Sequence, residues 1–187
     1  KIFLLITFLF FLIFATFFYK ESYRISIVTK SMEVYKEFLI IDSVLNKKSN
    51  YESRLCDFYI ASSFRSCMGK NQRFDYMSTD ILKSVIESGA RMLWFDVFNS
   101  NVTIKADPII SNGIDKGNWT YTLNYLNFED ILKTIATNAF NPGLINNYND
   151  PLIISLNPNV QNNILTLNKM KTLILKHLKP RLLPVRY

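Results

Sequence analysis

Apolar residues are arranged in two regimes along the chain. Residues 2–19 are apolar at every position except Thr7 and Thr16, with no charge, Pro or Gly. A helix of that length spans about 27 Å, close to the ~30 Å hydrocarbon thickness of a bilayer. It is hydrophobic on every face, which does not suit the one-sided burial of a soluble core helix. The run exceeds a usual signal core and no small-x-small cleavage pattern follows it, so a membrane anchor is expected rather than a secretory signal. Tyr19 and Tyr23 would lie at the interface, and Lys20 and Arg24 among the head groups. Residues 20–50 read as a juxtamembrane stalk. Within it Val34, Phe38, Ile41 and Leu45 recur at helical spacing over residues 32–45, and the turn-forming stretch 46–50 closes it.

From residue 51 the pattern switches to alternating strands and helices. Residues 58–62 form a short apolar run that reads as a strand. Ser78 is placed to cap a helix over 79–88, with Asp80 in its first turn and Gly89 just past its end. A strand is expected over 92–98 and a short one over 108–111. Asn127 is placed to cap a helix over 128–140, where Glu129 and Asp130 favour the positive end of the helix dipole. Asp150-Pro151 opens a strand over 152–156. A last helix begins at Asn162 or Asn163 and runs to about residue 179, where Pro180 stops it. Its apolar positions Ile164, Leu167, Met170, Ile174 and Leu178 fit one face against a sheet. Strands that are apolar throughout and alternate with helices indicate a helix-covered parallel sheet. Four strands and a terminal helix would be half of an eight-stranded α/β barrel; an open doubly wound sheet fits the pattern equally well.

Charge adds one feature. The chain has 187 residues and a net charge of +7, but residues 151–187 hold six Lys/Arg and no Asp or Glu. A basic end suits anionic lipid or an acidic partner, although a solvated helix face is the plainer reading. More charge follows the apolar run (Lys20, Arg24, Lys30, Lys36) than precedes it (Lys1), which places the following domain in the cytosol. Cys56 and Cys67 stand eleven apart without a CxxC pair or a nearby histidine, so a zinc site is not expected. Two thiols without a disulfide framework fit a reducing compartment. The five glycines are scattered, and no phosphate-cradling loop is formed.

Six segments then carry a resemblance. They are residues 57–63 (Asp-Phe-Tyr-Ile-Ala-Ser-Ser), 78–91 (ending Gly-Ala-Arg), 94–96 (Trp-Phe-Asp), 108–113 (Pro-Ile-Ile-Ser-Asn-Gly), 123–140, and 150–156 (Asp-Pro-Leu-Ile-Ile-Ser-Leu). In this order they resemble the X region of phosphatidylinositol-specific phospholipase C, over about residues 54–187. The eroded set is also similar to phospholipase-like reading frames of large DNA viruses. The resemblance implies an α/β fold, the first half of a phospholipase-type TIM (β/α) barrel preceded by a transmembrane helix. Residues 1–19 would be the anchor, 20–50 the stalk and 51–187 the half barrel. The chain begins with Lys and stops at Leu-Pro-Val-Arg-Tyr, so it reads as a piece of a longer protein whose second barrel half lies elsewhere.

The family cleaves its lipid with two histidines and holds Ca²⁺ on carboxylates and an Asn. Here the positions of the histidines are Phe64 and Asn112. Ser62-Ser63-Phe64-Arg65 stands where the family has Ser-Ser-His-Asn, Trp94-Phe95-Asp96 where it has Glu-Leu-Asp, Asn112-Gly113 where it has His-Gly, and Ser155-Leu156-Asn157 where it has Ser-Leu-Glu. No catalytic residue is assigned. Arg65, Asp96, Asn112 and Asn157 are the candidate substrate-binding residues, and Asp96 is the one carboxylate left as a metal ligand. No cofactor is expected, since the Ca²⁺ ligand set of the family is mostly lost. Arg65 with Asp96 would form either a phosphate clamp or a structural salt bridge. Arg91 reads as structural, Trp94 as packing at the barrel mouth, Trp119 as a loop anchor, and His177 (the one histidine) as a helix-end residue beside lysines. The expected partners are a membrane and an anionic phospholipid head group, with no nucleic acid; the sequence indicates no particular protein partner.

Overall fold

A computed structural model describes residues 2–38, 43–44, 54–69, 75–99, 107–113, 121–160 and 163–183, with side chains of 32–38 excepted. It opens with one helix, α1 (Ile2–Phe38), long and apolar enough over Ile2–Ser31 to cross a membrane. The helix does not stop at the end of the apolar run. It continues through residues 20–38, so the helical segment looked for from residue 32 is the end of α1; residues 39–42 and 45–50 lie outside the described residues.

The rest is a mixed α/β domain with the order β1 (Ser62–Ser63), α2 (Thr79–Glu87), β2 (Met92–Asn99), β3 (Pro108–Ile110), β4 (Leu126–Asn127), α3 (Phe128–Asn138), β5 (Ile153–Asn159) and α4 (Ile164–Leu178). The sheet is built round β2. It pairs in parallel with β1 through Ser62↔Met92 and with β5 along its length, from Met92↔Ile153 to Phe98↔Asn159. The segment 108–111 corrects the sequence reading: β3 runs antiparallel to β2 (Val97↔Ile110) and β4 antiparallel to β3. These two strands are an excursion on the end of β2, not a step in a parallel series, so three of the described strands are parallel rather than four. A three-residue strand carries no signal of its direction; only the partner decides it.

Odd and even positions of β2 serve different purposes because side chains alternate across a strand. Leu93, Phe95 and Val97 are buried in a core with Ile81, Leu82 and Ile86 of α2, Phe128, Ile131, Leu132 and Ile135 of α3, and Met170 and Leu178 of α4. The register sets Ile154 and Leu156 of β5 beside Leu93 and Phe95, and both pack on the same core. The opposite face carries Trp94 and Asp96, next to Ser155 and Asn157.

Local signals placed the helix ends well. Ser78 Oγ accepts from Asp80 N at 3.0 Å, and Gly89 follows α2 with a positive φ of 87°. Asn163 Oδ1 accepts from Leu165 N and Thr166 N at the start of α4. Asn127 instead donates to the Asp130 carboxylate, 3.2 Å, and makes no side-chain cap to the backbone. The face assigned to α4 needs correction: Ile164 is 70% exposed and Leu167 is exposed, whereas Thr166, Met170 and Leu178 are buried. β1 is shorter than the apolar run 58–62 suggested, and starts only at Ser62.

Candidate functional site

The sequence-nominated residues converge on one carboxylate. Asp96 lies on the non-core face of β2, and parallel pairing brings Asn157 of β5 directly beside it. Asn157 Nδ2 donates to Asp96 Oδ1 at 2.9 Å, and Trp94 Nε1, two residues back on the same face, donates to the same oxygen at 3.1 Å. Arg65 Nε donates to Asp96 Oδ2 at 2.9 Å. Asp96 is buried, with 5% of its side chain exposed against 21% for Arg65. One carboxylate therefore receives three N–H donors, one of them cationic, in a setting where charge-assisted hydrogen bonds are strong.

Backbone geometry aims Arg65 at the sheet. It has a φ of 51°, a left-handed conformation uncommon outside Gly, Asn and Asp, in the turn closed by Met68 N donating to Arg65 O (2.8 Å). Ser66 fixes that turn to β2. Its Oγ donates to Ser63 O and accepts from Trp94 N, and its own N donates to Trp94 O. Phe64 lies over the cluster, its ring 5.7 Å from Trp94 and 4.8 Å from the Arg65 guanidinium carbon. Asn112 is buried near the end of the excursion. Ser111 N donates to the Asp96 carbonyl and Tyr121 N to the Asn112 carbonyl. The backbone thus brings Asn112 near the cluster.

Two participants went unnoticed in the sequence: the indole of Trp94, read there as packing, and Ser66. The i, i+2 spacing of Trp94 and Asp96 was visible and places both on one face; nothing local tied Ser66 to β2.

The other candidates lie elsewhere. Arg91 is a buried pin whose Nη1 donates to Ala139 O (2.7 Å) and Nη2 to Asn147 O. Burial pushes its pKa down from the usual arginine value, with nearby Asp150 opposing. His177 Nε2, on α4, lies 3.0 Å from Glu129 Oε1 on α3. Trp119 lies outside the described residues. Burial raises the Cys67 thiol pKa far above its ordinary value, while Cys56 is exposed; neither forms a disulfide.

A scan against family models matches residues 51–186 to "Phosphatidylinositol-specific phospholipase C, X domain". The chain belongs to that family. Two solved structures share the fold of this X domain. PLC21 of S. officinalis has 22% identity and a TM-score of 0.57 over 69% of this chain and 14% of its own. PLC21 of L. pealei has 21% identity and a TM-score of 0.60 over 74% of this chain and 16% of its own. The X domain thus corresponds to a small part of each neighbour. No curated protein sequence matches. Nothing in these matches bears on a viral origin.

The Ca²⁺ of the family does not fit the residues present. A hard cation wants six to eight oxygen ligands with several negative charges. Here the single carboxylate faces N–H donors, including a guanidinium. Among the described residues no group of three or more His, Cys, Asp or Glu is placed to hold a metal.

Proposed function

We propose that this chain is a membrane-anchored, catalytically silent phospholipase C X-type domain, built as part of a phospholipase-type TIM barrel, that binds an anionic phospholipid head group at its strand ends without cleaving it. The observation that carries the reading is the engagement of Asp96 with Arg65, Trp94 and Asn157. A catalytic carboxylate must reach substrate or metal, and this one is occupied on both oxygens by donors of its own fold. The positions of the two family histidines hold Phe64 and Asn112, neither of which titrates near neutral pH. Each general acid or base contributes about 10²–10⁴-fold to rate, so loss of both removes several powers of ten. Ca²⁺ has no role in this reading, nor has nucleic acid.

Arg65 is the phosphate ligand. Its Nε is held by Asp96, which orients the planar guanidinium, and part of the side chain remains open to solvent. α1 supplies the anchor, and the lysines and arginine after its apolar run keep the domain on the cytosolic side.

The test uses the full-length protein in liposomes containing phosphatidylinositol or its phosphorylated forms. Head-group release is measured with and without Ca²⁺, beside the Phe64→His/Asn112→His double variant. Release at background together with vesicle binding that weakens in Arg65→Ala supports the proposal. Turnover well above background by the wild type refutes silence. Binding indifferent to Arg65→Ala and to the lipid head group refutes recognition and leaves a protein scaffold.

A further inference from the structure

Beyond its apolar run α1 lies against the domain. Glu21, Ile25, Val28 and Thr29 are half-buried there, at i, i+4, i+7 and i+8, which is one stripe of a helix, and α1 runs beside α2. Val28 packs on the core, Arg24 Nη1 pairs with Asp75 Oδ1 at 3.4 Å, and the ring of Phe17 meets that of Tyr76 edge-on at 6.1 Å. Asp75 is buried, and the same oxygen accepts from Tyr76 N at 2.9 Å. Gly69 admits the helix: a Cβ there would come within 2.7 Å of Val28 Cγ2 and 3.4 Å of Asp75 Oδ2. Past α1 the chain is pinned again, since the Asp150 carboxylate accepts from Ser43 Oγ (2.6 Å) and Val44 N (3.1 Å).

The residues that α1 grips belong to the connection that carries Arg65. Its two limbs are tied to each other: Ser78 N donates to Cys67 O (3.1 Å), and Met68 faces Met77 in an antiparallel bridge. Met68 N in turn donates to Arg65 O (2.8 Å). Hydrogen-bonded backbone thus links Gly69, Asp75 and Tyr76, which touch α1, to Arg65.

Arg65 needs such a hold. Its φ of 51° is uphill for a side chain of its kind and persists only where the surrounding structure enforces it. Asp96 restrains the guanidinium from one side, and Ser66, bonded to Ser63 O and Trp94 N, restrains the turn from another. The limb at Met68 and Gly69, held under α1, is the third restraint.

We propose, resting on the head-group reading above, that the second half of α1 is a latch on this connection and that Val28 and Arg24 are positioning residues for the site. Docking of α1 on Gly69 and Asp75 keeps Arg65 in the left-handed pose from which it reaches Asp96. Displacing α1 frees the limb, lets Arg65 relax and weakens head-group binding. Coupling between two sites is reciprocal, so a head group bound at Arg65 tightens α1 on the domain. The site is complete in a chain whose α1 is docked and incomplete in one whose α1 is drawn away.

The test uses the full chain in detergent micelles with isotope-labelled arginine. The Nε–H resonance of Arg65, assigned by its loss in Arg65→Lys, exchanges with water at a rate that reads the pose without any ligand. Gly69→Ala, whose Cβ meets Val28, should speed that exchange by about tenfold and weaken binding of glycerophosphoinositol, the deacylated head group, by a similar factor, an ordinary size for coupling between sites. Val28→Ala removes the opposing methyls, so the Val28→Ala/Gly69→Ala double variant should return both readings toward wild type. Asn163→Ala, which uncaps α4, should lower stability and leave the Arg65 exchange unchanged. Arg24→Gln, which breaks only the exposed pair with Asp75, should shift the exchange in the same direction by less and serves where Gly69→Ala does not fold. An Arg65 exchange rate unmoved by these α1 contacts overturns the latch. So does a shift that Asn163→Ala reproduces, or one that Val28→Ala fails to rescue. Exchange that follows the latch in a wild type that binds no head group overturns the head-group reading and leaves the latch standing.

Discussion

Asp96→Ala is the most informative single change. The substitution removes the acceptor for Arg65 Nε, Trp94 Nε1 and Asn157 Nδ2 and leaves three donors at a buried position. Stranding a buried donor costs roughly 1–3 kcal/mol, and breaking a buried ion pair roughly 3–5 kcal/mol. Both figures need discounting here. The Arg65 side chain keeps 21% exposure and can turn to water, and Asn157 and Trp94 are only partly buried. The expected loss is about 2–4 kcal/mol, a large part of the stability of a domain of this size. Asp96→Asn keeps one acceptor oxygen and should lose about half as much. Equilibrium urea unfolding, followed by tryptophan fluorescence, measures both, since the Trp94 indole reports directly on its hydrogen bond. The sign is the decisive point. A carboxylate held open for a metal or a substrate is a strained, destabilising feature of the ligand-free protein, and its removal commonly stabilises. A carboxylate that holds β1, β2 and β5 together must destabilise when lost. An Asp96→Ala protein as stable as wild type, or more so, would refute the reasoning and reopen Asp96 as a functional ligand.

Other outcomes follow from the same geometry. Arg91→Met should lower stability by about 2–4 kcal/mol in urea melts, because the buried carbonyls of Ala139 and Asn147 lose their donors; Arg91→Lys should rescue little, since a point charge cannot reproduce the forked contact. Ser78→Ala should cost about 1 kcal/mol through loss of the cap on Asp80 N, and Ser78→Asp should restore most of it. Glu129 is held down to about 2, first by its hydrogen bond from Lys176 and then by that with His177, with Lys133 adding to the effect. Its folded pKa lies below its ordinary value of 4.5, so its contribution is complete above that value and is lost as pH falls toward 2. The Tm difference between wild type and Glu129→Gln should accordingly vanish across that acid window. It should also shrink with added salt at neutral pH, as expected for exposed charges. A difference that persists at pH 2 would refute the assignment.

Much of this was legible along the chain because it depends on neighbours in sequence. The apolar run that becomes the first half of α1, the caps at Ser78 and Asn163, and the core strand around Phe95 are all fixed by patterns within a few residues. The ordered motifs, Asp57 to Leu156, were enough to identify the family. Asp96, Arg65 and Asn157 were all nominated from the sequence, and the structure brings them together by hydrogen bonds to one carboxylate. The fate of Asp96 was not legible. That Arg65 and Asn157 both bond its carboxylate depends on a left-handed turn and on a register that sets Asp96 against Asn157, sixty-one residues away.

By itself the sequence determined the apolar run, most of the helices and strands and the family, because each is written in the order and kind of adjacent side chains. Only the tertiary structure decided that β3 runs backward, that Ile164 and Leu167 face outward from α4, that Trp94 serves Asp96, and that Val28 of α1 packs on the domain core. Those outcomes depend on contacts between residues far apart in the chain. Such contacts are settled by which surfaces can be buried together and which polar groups must find partners once they are.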